Sequence, residues 1–393
     1  MIGISRLYLG TAEASDPLRY IRGDGRRFAG RMRRPIVVWN ATARCNLFCR
    51  HCYAHAGPSQ SGDELSGDEA RAMIDDLAAF GCPALLFSGG EPLLRNDVAD
   101  LIAYATDHGL RAVLSTNGTL IDTDMACRLK SASTAYVGIS LDGLRGTHDC
   151  FRGQEGAFDG ALAGIRAAQV AGLKTGLRLT LTQANIGDLE GIFDLIRSEG
   201  ISRVCFYHLV YTGRGAAMRT EDLTHAQTRD AVDRIITFAA DSHNAGERRE
   251  VLTVDNHCDG PLLYLRMKRE GRTDAEAMLD LLRANGGNAS GVAIASVNWD
   301  GTVFPDQFWR EHPLGSVRDR PFSAIWSDDS MDWLSRLRHR ENYLNARCTG
   351  CRFLDVCRGN FRARAEAALG DPWACDPACY LTNEEIAPVP EKE

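Results

Sequence analysis

The chain has 393 residues, 44% hydrophobic and 25% charged, a globular composition long enough for two or three domains. A net charge of -7 argues against a general nucleic-acid binder, and no apolar run reaches the roughly 18 residues of a membrane span. The opening Met1-Ile2-Gly3-Ile4-Ser5-Arg6 lacks a signal peptide's apolar stretch, so a cytoplasmic protein with no membrane and no nucleic-acid partner is expected.

Residues 1–34 read as an N-terminal extension rich in arginine: Arg19, Arg22, Arg26, Arg27, Arg31, Arg33 and Arg34. Lys occurs only at 130, 174, 268 and 392, so the bias runs through the whole chain, as a GC-rich genome would produce. Arginine forks grip carboxylates well, and the same set also reads as a solvated face. From 35 to 217, short apolar runs alternate with amphipathic ones. Their Val, Ile, Leu, Phe and Tyr content, bounded by Gly and Asn, predicts strands at 36–40, 84–88, 112–115, 136–141, 175–181 and 204–210. Helices are predicted at 70–80, 97–108, 122–131, 158–171 and 187–199, the first behind a capping box of Ser66 and Glu69. Six such β-α units imply a parallel sheet with helices outside, short of a closed eightfold barrel. The expected fold class is therefore α/β, a partial (β/α)6 barrel of TIM type with its chemistry at the C-terminal strand ends. Residues 218–291 read as a charged helical bridge. The runs at 292–299 and 302–309 flank Asp300-Gly301, a hairpin signal that opens a second domain over 292–383. The tail, 384–393, is expected to fray.

Eight of the 13 cysteines fall in two groups; Cys82, Cys127, Cys150, Cys205 and Cys258 are scattered and read mostly as small buried hydrophobes. Clustered cysteines in a chain without export signals point to metal before disulfides. In Arg44-Cys45-Asn46-Leu47-Phe48-Cys49-Arg50-His51-Cys52-Tyr53, three thiolates are available to three irons of a 4Fe-4S cluster, leaving the fourth iron open to a substrate or co-substrate. Structural zinc, the alternative, usually takes four ligands, and His51 is poorly placed to be the fourth.

The C-x3-C-x2-C spacing resembles that of the radical S-adenosylmethionine (SAM) superfamily. There the open iron binds SAM, and the reduced cluster cleaves it to a 5′-deoxyadenosyl radical. Cys45, Cys49 and Cys52 are then the catalytic cluster ligands. Polar motifs at successive strand ends agree. Ser88-Gly89-Gly90-Glu91-Pro92 resembles the family's GGE motif, which contacts the SAM amino group. Ser115 and Asn117 would form a polar wall. Ser140 and Asp142, two residues apart, share a face and resemble the ribose-binding motif. The resemblance places Arg178 against the SAM carboxylate, or in a structural ion pair, and Tyr53 near the adenine.

The second group, Cys348-x2-Cys351-x5-Cys357 with Cys375 and Cys379, resembles part of a SPASM/twitch-like domain. The full pattern has further cysteines where this chain has Phe361 and Asp306, so one auxiliary 4Fe-4S cluster is expected rather than two. Its ligands would be Cys348, Cys351, Cys357 and Cys379, with Cys375 the rival fourth and zinc the alternative metal. A fully ligated cluster would transfer electrons.

Longer stretches, among them residues 4–8 with 16–20, Val37-Val38-Trp39-Asn40, residues 208–215 and residues 370–381, resemble the AhbC and NirJ families of haem biosynthesis across nearly the whole chain. The AhbC type removes two acetates from 12,18-didecarboxysiroheme to give Fe-coproporphyrin III; the NirJ type removes propionates towards haem d1. Residues 7–20 and Gln307-Phe308-Trp309 look closer to the AhbC type. The implied partners are an iron tetrapyrrole and an external one-electron donor such as a ferredoxin or flavodoxin. An Arg-rich pocket suits the carboxylates, Trp299, Phe308 and Trp309 suit the flat ring, and His208 or His257 is a candidate for the iron. A SPASM-type peptide maturase and a non-catalytic electron carrier are the rival readings; no winged-helix pattern precedes the barrel, and the open cluster site argues against the carrier.

Overall fold

The computed structural model describes residues 1–20, 34–58 and 63–388. Of the N-terminal arginines, Arg22, Arg26, Arg27, Arg31 and Arg33 lie outside the described residues, as does the end of the tail. The described strands are β1 (Ile2–Gly3), β2 (Ile36–Asn40), β3 (Ala84–Ser88), β4 (Arg111–Thr116), β5 (Tyr136–Ser140), β6 (Thr175–Leu181), β7 (Arg203–His208), β8 (Glu250–Val254), β9 (Ile294–Val297), β10 (Thr302–Phe304) and β11 (Gly315–Ser316). They form one sheet in the order β1-β8-β7-β6-β5-β4-β3-β2-β9-β10-β11. Strands β2 to β8 are parallel neighbours, β9 adds parallel to β2, and β1, β10 and β11 pair antiparallel at the two ends.

All six predicted strands form, with ends shifted by a few residues, and each connection carries the helix that a parallel crossover needs. Helix Gly67–Phe80 shows why. Ser66 accepts the Glu69 N–H and Glu69 returns the bond, satisfying two of the first-turn donors, while Ala70, Met73, Ile74 and Leu77 face the sheet. Such a cap contributes about 1 kcal/mol. Parallel strands covered on both faces are apolar on both faces; Trp39 and Phe87, both fully buried, meet edge to face at 5.5 Å.

The structure corrects the helical reading of 218–291. Helices fill much of it, but β8 lies inside, and all five of its residues are buried. Its opening residue is charged, which hid the run. Glu250 is neutralised by Arg19 at 2.8 Å and Arg203 at 3.2 Å, so the charge is buried only in a paired form. The parallel run is thus longer than six strands. The sheet also continues past the expected boundary at 292, because β9 pairs parallel to β2.

Beyond the hairpin, short helices carry the second cysteine group, and three fully buried arginines stitch it together. Arg340 donates to Asn288 and to the Ser290 carbonyl, and Arg362 to the carbonyls of Pro372 and Ala374. Arg364 forks onto Asp376 at 2.8 Å and also reaches the carbonyls of Leu209 and Asp255, fastening this region to the barrel. Part of the arginine bias is therefore structural.

Candidate active site

The segment after β2 carries Cys45, Cys49 and Cys52, which pack together with Leu47, Ala54 and Ala56. Backbone bonds from its neighbours hold the loop in place. Cys45 N–H donates to the Gly57 carbonyl, Phe48 N–H to Arg152 and Arg50 N–H to Phe151. Arg214 donates to the carbonyls of Cys49 and Ala56, and its guanidinium lies 4.0 Å from the Phe48 ring centre. Gly89 and Gly90 are glycines for space. Gly89 has φ +132° and its backbone passes Thr42, and a Cβ on Gly90 would run into the Arg44 carbonyl. That approach lets the Gly90 and Glu91 N–H groups donate to Thr42 and Arg44 at 2.8 Å, locking the two motifs together.

A cavity of about 310 Å³ opens over the C-terminal ends of the strands. Of the expected site residues, Tyr53, Ser115, Ser140, Asp142 and Arg178 line it; Gly89, Gly90, Glu91 and Asn117 do not. A larger cleft of about 560 Å³ lies outside, beside Cys351, and holds none of the expected SAM contacts. Arg178 donates to Ser115, and among the described residues no carboxylate lies within ion-pair distance of it. The neighbouring strand makes room for it with Gly138, where any Cβ would strike the guanidinium. A half-buried guanidinium with no carboxylate partner, facing a cavity, has donors to spare for an anion.

Two of the expected site residues brace neighbouring segments. Glu91 is fully buried, and its carboxylate accepts the Thr116 hydroxyl at 2.7 Å and the N–H groups of Asn117 and Leu93. Burial pushes its pKa up to about 7. It ties the β3 end to the β4 end. Asn117 donates to the Asn46 side chain at 2.8 Å and so steadies the cysteine loop. Asp142 shares the cavity wall with Ser140, as the spacing predicts, but its carboxylate is engaged by Arg152 and by the Thr180 N–H at 2.7 Å. Sequence reasoning missed Arg152. It ends helix Arg145–Arg152 just before Gly153 (φ +69°), pairs with Asp142 and donates to the Cys49 sulfur at 3.4 Å. No local motif flags it, because its partners are 10 and 103 residues away.

Of the three aromatics expected to meet a flat ligand, only Phe308 lines the cavity, with its ring 5.1 Å from Tyr53 and 5.5 Å from Phe361. Trp309 is buried and donates to Glu366, and Trp299 lies under Arg310 at 4.7 Å. His208 and His257 both line the cavity. Arg19 reaches it too, whereas Arg34 stacks on Phe80 at 3.8 Å. Asp306 and Phe361, the two positions that depart from the full cysteine pattern, are also in its wall. Asp306 is capped by Ser290 and by the N–H groups of Phe308 and Trp309.

In the second cysteine group, the Cys348 and Cys375 sulfurs lie 3.9 Å apart. Cys258, read from the sequence as a small hydrophobe, is indeed wholly buried, accepts from the Asn360 side chain at 3.5 Å, and its nearness lowers the Cys379 thiol's pKa to about 7. Both groups fit iron-sulfur clusters. Burial pushes Cys45 and Cys357 up to about 12, an environment that rejects bare thiolates and accepts them once a metal neutralises the charge. Among the described residues, no three His, Cys, Asp or Glu side chains converge as they would on a single ion. Cluster thiolates go to separate irons and need not converge.

The radical SAM superfamily model matches residues 39–196, and the SPASM iron-sulfur cluster-binding domain model matches 291–352. Fe-coproporphyrin III synthase of Methanosarcina barkeri is 53% identical over 98% of this chain and 99% of its own length. The chain belongs to that family of radical SAM enzymes. Pre-heme d1 synthase of Dinoroseobacter shibae is 42% identical over 90% of this chain and 87% of that protein. The fold is that of native anSMEcpe with bound AdoMet, at a TM-score of 0.67, with 17% identity over 88% of this chain and 93% of that one. This radical SAM enzyme is a radical-generating oxidoreductase whose two matched domains bind 4Fe-4S clusters and SAM. Among the described residues, no helix is long and apolar enough to cross a membrane.

Proposed function

We propose that the chain removes the two acetate side chains of 12,18-didecarboxysiroheme to give Fe-coproporphyrin III. The observation that carries this reading is the near full-length likeness to a protein of that name. The cavity supports it, because one wall joins the SAM-type residues to a second half holding His208, His257 and Phe308. Cys45, Cys49 and Cys52 would hold the open cluster. With SAM and one electron from a ferredoxin- or flavodoxin-like donor, that cluster supplies a 5′-deoxyadenosyl radical able to take a hydrogen atom from the ring periphery. Arg178 grips the SAM carboxylate, Ser115 orients Arg178, and Tyr53 and Ser140 border the nucleoside. Glu91, Asn117 and Arg152 hold the cysteine loop, and Asp142 keeps Arg152 in place.

Cys348, Cys351, Cys357 and Cys379 would hold one auxiliary 4Fe-4S cluster, suited to pass one electron, which with a proton would let the departing side-chain fragment leave as acetate. Cys379→Ser is expected to lower bound iron, while Cys375→Ser leaves it intact; the opposite pattern would make Cys375 the ligand. The reaction itself is tested by anaerobic incubation with SAM, dithionite and didecarboxysiroheme, followed by product mass. Loss of two acetates supports the proposal. Loss of propionates moves the chain to the haem d1 branch. An unchanged tetrapyrrole with SAM still cleaved rejects the substrate.

A further inference from the structure

His208 closes β7, only 6% exposed, at the cavity wall. Its Nε2 lies 2.9 Å from Asp259 Oδ2. Asp259 is fully buried, and its other oxygen accepts the Tyr380 hydroxyl at 2.5 Å. Burial alone would raise the Asp259 pKa, but His208 and the Tyr380 hydroxyl oppose it, and the carboxylate is held below its ordinary range. An ionised carboxylate only accepts, so the His208 proton sits on Nε2 and the lone pair sits on Nδ1. Nδ1 makes no hydrogen bond among the described residues.

An imidazole oriented by a carboxylate on one nitrogen, with the other left open, is the arrangement of a metal ligand. A single histidine cannot hold a free ion, which needs three or four protein ligands. It suffices for an iron already held by a macrocycle. His257 faces the same cavity but has no carboxylate to orient it, and its Nδ1 is buried without a partner among the described residues. Resting on the tetrapyrrole reading above, we infer that His208 is the protein ligand to the substrate iron, through Nδ1, with Asp259 and Tyr380 as positioning residues. Tyr380 follows Cys379 directly, so the same string of bonds runs from the auxiliary cysteines to the cavity.

The test uses the full chain with its clusters and ferric coproporphyrin III as the probe, read by optical and EPR spectra and by titration. Wild type is expected to show a nitrogen axial ligand. His208→Ala should lose that signature and bind the probe at least about tenfold more weakly, and added imidazole should restore the spectrum. His208→Met should give a thioether-ligand spectrum, and His257→Ala should match wild type. Metal-free coproporphyrin III should bind wild type and His208→Ala alike. An iron spectrum unchanged in both His208 variants, or an equal loss of the iron and metal-free probes, overturns the inference alone. A wild type that binds no iron tetrapyrrole overturns the functional reading and the inference with it.

Discussion

The two cysteine-bearing regions are held in different ways. The loop at 45–52 is gripped mostly by backbone: its own N–H groups donate to the carbonyls of Gly57, Phe151 and Arg152, glycines stand where main chains must touch, and Arg214 and Arg152 add side-chain bonds to Cys49. The region at 348–379 is gripped by side chains, through buried arginine forks aimed at carbonyls and at Asp376. A loop pinned by backbone keeps its shape while one face stays open to the cavity. A region pinned by buried charges is closed, and it stands or falls with each pair. Chemistry on a co-substrate needs the first arrangement, and electron storage tolerates the second.

The largest contrast is catalytic. Cys49→Ala should abolish 5′-deoxyadenosine release, whereas Cys348→Ala should leave SAM cleavage measurable and stop tetrapyrrole turnover; deoxyadenosine and product are counted together. Equal loss in both variants would break the distinction. The next contrast is in stability. Asp376→Ala strands the buried Arg364 charge and is expected to cost about 3–5 kcal/mol, visible in denaturant unfolding, because removing one partner of a buried pair leaves the other uncompensated.

Binding comes third. Arg178→Ala should weaken SAM by about ten- to a hundredfold, the worth of a charged hydrogen bond of ~1.5–3 kcal/mol, measured by calorimetry on the reconstituted protein. The smallest effect is a pH trend. Glu91 is raised to about 7 when folded, above its ordinary 4.5, so the folded state holds its proton more tightly than the unfolded chain. Its contribution to stability is then largest below about pH 4.5 and declines as pH rises through about 7. Glu91→Gln should flatten that decline in melting temperature between pH 5 and 8.

The sequence made the first region legible because each motif sits at the end of its own strand. The spacing C-x3-C-x2-C, the paired glycines and the Ser140/Asp142 face each depend on neighbours within a few residues. What stayed hidden depends on distance. Arg152 reaches its partners only after helix Arg145–Arg152 folds back onto the loop. Strand β8 opens on a glutamate that only Arg19 and Arg203 make tolerable. Glu91 reads as a ligand contact, and nothing local announces that Thr116 and Asn117 will also bond its oxygens. Cys258 reads as a small hydrophobe; its contact with Cys379 spans most of the second half of the chain.

The central claim is that one cavity joins a SAM-cleaving cysteine loop to an iron tetrapyrrole. Iron anomalous scattering from anaerobic crystals grown with SAM and didecarboxysiroheme tests it most directly. The account predicts three separate iron centres, at Cys45–Cys52, at Cys348–Cys379 and in the cavity beside His208. Iron at the two cysteine groups with none in the cavity, and the tetrapyrrole bound elsewhere, would contradict it.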